Sequence, residues 1–222
     1  MFEYTVIKSN RKSLSIIIER DKSVVVRAPQ TLSDDRIKEE VNKRKALILS
    51  KIDSHQKAVE RTAKEFVDGE QFLYMGKYYS LQINSSETPA IEFKEAFIVN
   101  TPSIEVAKNL MFEWYQQQAK EVLTPRIIYF AEHLGVKRRR INITSAKYIW
   151  GSCTPAGTLN FNWRIVKAPS EVMDYIVVHE LAHLREHNHS AEFWNIVAVQ
   201  LPQYEDAKQW LRLNGHELDE DF

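Results

Sequence analysis

The chain has 222 residues, 44% of them hydrophobic, enough for one large or two small self-sufficient domains. Lys plus Arg and Asp plus Glu both total 30, so no global field draws it to nucleic acid or anionic lipid, and any charge-led partner must be met by a local patch. The opening "MFEYTVIKSNRK" lacks the apolar core of a secretory signal, no run is long enough to span a membrane, and the single cysteine, Cys153, cannot form an internal disulfide; the expected compartment is the cytoplasm.

In chain order, "SLSIII" and "SVVVRA" are β-branched runs either side of a polar break, the pattern of a hairpin. Over "TLSDDRIKEEVNKRKALILSKI" the period changes: Ser33 suits an N-cap, and Ile37, Val41, Ile48 and Ile52 fall on one helical face. "FVDGEQFLYMGKYYSLQI" and "AIEFKEAFIV" return to strand character, with Gly69 and Gly76 at turns. A long helix is expected from Ser103 to about Leu134, with Val106, Ala107, Leu110 and Trp114 near one face and Gly135 ending it. Ala119 and Leu123 drift off that stripe, and Pro125 is expected to kink or divide the helix. "INITSAKYIWGSC" and "TLNFNW" read as strands joined by a turn at "TPAG". A helix follows over "PSEVMDYIVVHELAHL", with Ser170 as its expected N-cap and Met173, Val177, Leu181 and Leu184 as its apolar stripe. Two more helices are expected near 190–200 and 204–214. The class is α+β, with a β-rich N-terminal region carrying one helix over 1–100 and a second domain over 101–222.

Four of the seven histidines fall within "HELAHLREHNH", residues 179–189. His179 and His183 are four apart, so both imidazoles leave one helical face about a turn apart, where one ion can bind both. Glu180 beside them completes HExxH, in which two imidazoles hold Zn²⁺ and the glutamate takes a proton from the water that the metal activates. On a straight helix His187 would lie about 12 Å beyond His179 at ~1.5 Å per residue, too far to share an ion. The chain must leave the helix and return: Asn188 suits the exit because it tolerates the left-handed conformation, Ser190 suits the cap of the next helix, and His189 between them is the expected third ligand. That spacing matches HExxHxxGxxH zincins, except that Glu186 stands at the glycine position.

The segments "WGSC", "LNFNW", "YIVVHELAHL" and "NHSAEFW", with "DGEQFLYMGKYYSLQI" and "EWYQQQAKEVL", resemble the YgjP-type metallopeptidase family, zinc-dependent hydrolases akin to the zincins and more distantly to SprT-like proteases. The resemblance implies a zincin-like catalytic portion with a small sheet beside the active-site helix. It also implies His179, His183 and His189 as metal ligands and Glu180 as catalytic base. Ile149 stands where the family usually shows arginine before "WGSC", so any contact that arginine makes is missing here.

Other residues carry weaker signals. Cys153 could be a thiol nucleophile but reads better as a packed strand-end residue. "KRRR" at 137–140 could touch phosphates, though such a run is more often a solvated turn. Trp150, Phe161 and Trp163 read as core before cleft. Tyr148, Asn162 and Arg164 are candidate oxyanion donors. The expected activity is zinc-dependent hydrolysis of a peptide or protein. The alternative is a nucleic-acid-associated binding module with a non-catalytic metal, which would need a fourth protein ligand.

Overall fold

A computed structural model describes residues 3–10, 13–18, 24–49, 64–146 and 149–219. Contacts divide the chain into two compact units, Met1–Thr62 and Ala63–Phe222.

In the first unit, β1 (Tyr4–Ser9), β2 (Ser15–Ile18) and β3 (Val24–Pro29) form a sheet ordered β1-β3-β2. The expected hairpin is the antiparallel β2–β3 pair, with Ile16 opposite Val26. The strand pattern of the sequence did not reveal β1, which runs parallel to β3 on its other edge. Val24, Val26 and Ala28 alternate onto one buried face and join Ile37 and Val41 of α1 (Asp34–Lys43) and Ile48 in a small core. Ser33 caps α1 as expected, its hydroxyl accepting from Arg36 N at 3.4 Å. Ile52 lies outside the described residues.

The second unit opens with a four-stranded sheet ordered β4-β5-β7-β6, built from β4 (Gln71–Tyr74), β5 (Lys77–Ser85), β6 (Ala90–Phe93) and β7 (Phe97–Thr101). Its buried face shares one core with α2 (Ile104–Leu134): Phe97 and Val99 lie with Met111 and Tyr115, all fully buried. The break near residue 100 therefore falls inside this unit. Burying each large side chain contributes about 1.5–3 kcal/mol, and the Tyr115 hydroxyl avoids a desolvation cost by donating to Leu73 O at 2.8 Å.

Helix α2 departs from expectation in two ways. Its fully buried line is Ala107, Met111, Tyr115, Ala119, Leu123 and Ile127, so Ala119 and Leu123 belong to the stripe. A spacing of four advances the line by about 40° per step, so it winds around a helix of 3.6 residues per turn. It can do so because different partners cover the helix along its length: Trp114 and Tyr115 meet Phe97 of the four-stranded sheet, and Arg126, further on, meets Asp174 of the later helix Ser170–Ala182. Pro125 does not divide the helix. Carbonyls flanking the one it leaves free are taken by side chains, Lys120 O by the Thr124 hydroxyl and Val122 O by Arg126.

Beyond Gly135, which ends α2 in the left-handed conformation at φ 62°, a three-stranded sheet ordered β8-β10-β9 comprises β8 (Arg140–Thr144), β9 (Gly151–Cys153) and β10 (Thr158–Asn162). A 3-10 turn (Trp163–Lys167) leads into α3 (Ser170–Ala182), followed by α4 (Ala191–Gln200) and α5 (Tyr204–Leu218). The β4–β5 turn anchors the approach to α3: Met75 N and Gly76 N donate to Val166 O and Lys167 O. Gly76 is required there, because its φ is 78° and a Cβ would lie 2.9 Å from Pro169 Cγ.

Candidate metal centre

Helix α3 is buried on nearly every side, with Val172, Met173, Tyr175, Ile176, Val177, Val178, Leu181 and Ala182 all inside. An isolated helix of that composition would be unstable in water, so the core fixes its position. Ser170 is not the cap. Pro169 occupies that position, and the Ser170 hydroxyl instead accepts from Arg126 of α2 at 3.2 Å. The helix ends at Ala182, with His183 in right-handed geometry at its C-cap. Leu184 N, Arg185 N and Glu186 N close a tight turn onto Leu181 O and Ala182 O.

The chain thus leaves the helix five residues before Asn188, and no left-handed residue is needed: among the described non-glycine residues only Phe66 and Met75 have positive φ. Glu186, at the glycine position of the zincin spacing, stabilises the exit itself. Its carbonyl accepts from His183 Nδ1 at 3.1 Å and its carboxylate from Asn188 N at 3.3 Å. Ser190 caps α4, its hydroxyl accepting from Phe193 N at 3.3 Å.

This path brings His179, His183 and His189 together. One ring nitrogen of each lies within 4.8 Å of the others, and the ring centroids form a near-equilateral triangle with sides of 5.1, 4.9 and 4.8 Å. Nε2 of His179 and Nε2 of His189 are 3.0 Å apart. Two imidazole ligands on one tetrahedral ion, with bonds of about 2.0–2.1 Å, have their nitrogens about 3.3 Å apart, so the donor set fits a metal of zinc's size. The hydrogen bond to Glu186 O places the His183 proton on Nδ1 and leaves Nε2 free to bind. Burial, then the charges of His183, His189 and Lys208, pushes His179 down to about 4. Burial also lowers His183, with His189 and His187 adding to the effect. Both rings are neutral at pH 7, the form a metal requires. Among the described residues no fourth His, Cys, Asp or Glu joins the group.

Glu180, only 6% exposed, lies on the wall of the same cavity, which has a volume of about 460 Å³. Burial pushes its carboxyl up to about 7. Its seat comes from β9. A Cβ on Gly151 would lie 2.6 Å from Glu180 Cγ and 2.8 Å from Oε1, so only glycine lets the carboxylate lie against the strand. Two residues on, Cys153 also lines the cavity. Burial and the Glu180 charge push its thiol up, which makes it a poor nucleophile. β9 pairs with β10 on one side and is one of the two edge strands of its sheet.

Several candidates lie elsewhere. Tyr148 is outside the described residues. Asn162 is 2% exposed and its amide is spent on backbone: Nδ2 donates to Ala146 O at 2.7 Å and Ile149 O at 3.2 Å, while Oδ1 accepts from Arg164 N at 3.0 Å. Arg164 is buried over the Trp163 ring at 4.5 Å. Phe161 and Trp163 are core, and Trp150 packs against that core partly buried. The side chain of Ile149 is exposed. Arg139 and Arg140 are exposed, with Arg140 opening β8. His187 lines the cavity wall without joining the triangle. Gly151 and Phe193 were missed as site residues. Both sit in quoted motifs, "WGSC" and "NHSAEFW", but what they touch depends on packing between elements.

Comparison with known proteins gives the family of the chain. No curated protein matches the chain. Two crystal structures of metallopeptidase zymogens are similar to part of it: abylysin of Pyrococcus abyssi (24% identity, TM-score 0.39, covering 45% of this chain and 98% of that one) and jannalysin of Methanocaldococcus jannaschii (20% identity, TM-score 0.38, covering 41% and 95%). The sequence pattern of the YgjP-like family, metallopeptidase domain, matches residues 12–214, nearly the whole chain, and the protein is therefore a member of that family.

Proposed function

We propose that this metal-dependent peptidase is a zinc enzyme of zincin-like arrangement, with His179, His183 and His189 as ligands and Glu180 as general base. The observation that carries the reading is the 3.0 Å approach of two imidazole Nε2 atoms beside a third, on the wall of a cavity that also holds a buried carboxylate. His179, His183 and His189 would hold the zinc, which would supply Lewis acidity for carbonyl polarisation and water activation near neutral pH.

The chain's own groups do the rest. Beside a cation held by the three imidazoles, Glu180 would be favoured as the carboxylate against the effect of burial. Glu180 then accepts the proton of the attacking water and delivers it to the leaving amine, the general base–acid cycle of amide hydrolysis. The edge strand β9 is open to an extended peptide, whose main chain would pair beside Gly151–Cys153 and so be held next to Glu180. Three protein ligands favour an open catalytic site over a closed structural one. With a single cysteine the chain needs no oxidising compartment, and we place its activity in the cytoplasm.

Metal analysis of the purified chain with a Glu180→Gln variant tests this. The variant retains one zinc per chain and loses peptide hydrolysis by ~10²–10⁴-fold. Unchanged hydrolysis removes Glu180 from the mechanism.

A further inference from the structure

We infer that Phe193 is the positioning residue of the metal centre: its ring is the floor on which the three imidazoles are set, and it does by packing what hydrogen bonds do in most histidine sites. This rests on the proposed His179, His183 and His189 ligand set.

The ring of Phe193 is fully buried, and its centroid lies 5.0 Å from that of His179, 4.6 Å from His183 and 4.7 Å from His189. One side chain therefore touches every member of the triangle at almost equal range. Two rings meet it edge-on, at 72° and 70°, while His183 lies at 34°. A metal-binding imidazole usually has its second nitrogen on an acceptor that fixes the ring. Here, among the described residues, only His183 has that device, through Glu186 O. Nδ1 of His179 is buried with no hydrogen-bond partner among the described residues. His179 and His189 are held by ring contacts to Phe193 and Trp194, and of these two Phe193 is the one that also meets His183.

Phe193 is itself held from two directions. Its N–H donates to the Ser190 cap hydroxyl, which fixes the first turn of α4, and its ring is sunk in the core. Trp194 adds a second wall, stacked on His189 at 5.7 Å and 29°. The block "NHSAEFW" thus delivers the outermost ligand, caps the next helix and returns an aromatic floor under all three rings within six residues of His189.

The test is zinc affinity, measured by chelator competition on the full chain, for Phe193→Leu and for Val197→Ala. Val197 is equally buried on α4 one turn further on, so its truncation loosens the same helix without removing the floor. Melting of the metal-free proteins reports how far each variant disturbs the fold. Phe193→Leu is expected to weaken zinc binding by ~10-fold or more, the size seen when ligand-orienting groups are lost, and Val197→Ala to leave it near that of the parent. The visible bands of the Co²⁺-loaded protein should change in the first variant only. Equal zinc affinity in Phe193→Leu and the parent, or an equal loss in Val197→Ala, overturns the inference while leaving the ligand set intact. A parent that takes up no divalent ion overturns both.

Discussion

The candidate site has two walls of different construction. The histidine wall is local: His179, His183, His189 and Phe193 come from fifteen consecutive residues, and a helix end, one tight turn and one Ser cap bring them together. The carboxylate wall is not. Glu180 sits on the same helix, but its seat is Gly151 of β9, twenty-nine residues earlier, brought into place by the sheet β8-β10-β9 packing on α3. The first wall should therefore tolerate disturbance of the sheet, and the second should not. A single helix thus carries His179 and Glu180 and ends at His183, while two separate parts of the fold hold the histidines and the carboxylate.

The largest expected break in this division comes from Gly151→Ala. The added methyl would meet Glu180 Cγ at 2.6 Å and Cδ at 2.9 Å, so the carboxylate must swing away. Misplacing a catalytic group by about 1 Å costs roughly 10²-fold in rate, while overpacking costs about 1–3 kcal/mol of stability. The variant should lose kcat by that factor and keep its bound metal, because the three atoms nearest the new methyl all belong to Glu180 and none to a histidine. Loss of zinc together with activity would show that the two walls are one.

A smaller effect is expected from Asn162→Ala. The Asn162 side chain ties the strand approach at Ala146 and Ile149 to the start of the 3-10 turn, and its backbone N–H donates to Trp150 O at 2.9 Å. Removing the amide strands two carbonyls and one N–H at a buried position, a cost of about 1–3 kcal/mol. Urea unfolding should register that loss. Peptide hydrolysis should fall less than in Gly151→Ala, and zinc affinity should be unchanged, since β9 lies on the carboxylate side only.

The same contrast explains what the sequence made legible. A period of four gives His179 and His183 a common face, Ser190 marks a cap, and the reach of an imidazole excludes His187 in favour of His189; each of these is a short-range rule. Short-range rules also placed Ser33 and Gly135. They failed where a neighbour decides. The strand β1 is called into the first sheet by a parallel partner, β3. Ala119 and Leu123 return to the buried line because the partners of α2 change along its length. Asn188 resembled a helix exit, but the core lets go of α3 at Ala182 and Glu186 holds the turn. Gly151 showed only as a glycine in a strand, a signal of close approach by something unspecified. Its partner Glu180 could be named only once the helix and sheet were packed together.

The smallest effect is expected at a contact that joins α3 to α2 without belonging to either wall. Arg126 Nε and Asp174 Oδ1 lie 3.0 Å apart with both side chains about a quarter exposed. Burial pushes the Asp174 carboxyl up, outweighing the Arg126 attraction that opposes it, so desolvation offsets the pair's gain in full. Asp174→Asn should change stability by less than about 1 kcal/mol near neutral pH. The guanidinium still has Ser170 Oγ and Val122 O. The sign with pH is fixed: a raised folded-state pKa means that Asp174 favours the folded chain below its ordinary value of 3.8, and that contribution fades as pH rises through the folded value. Unfolding free energies measured across that range should show the Asn variant gaining on the parent as pH rises, with zinc affinity unaltered. If Asp174→Asn lowered zinc affinity or hydrolysis as strongly as Gly151→Ala lowers hydrolysis, α3 would be placed by this ion pair and not by the apolar core around it.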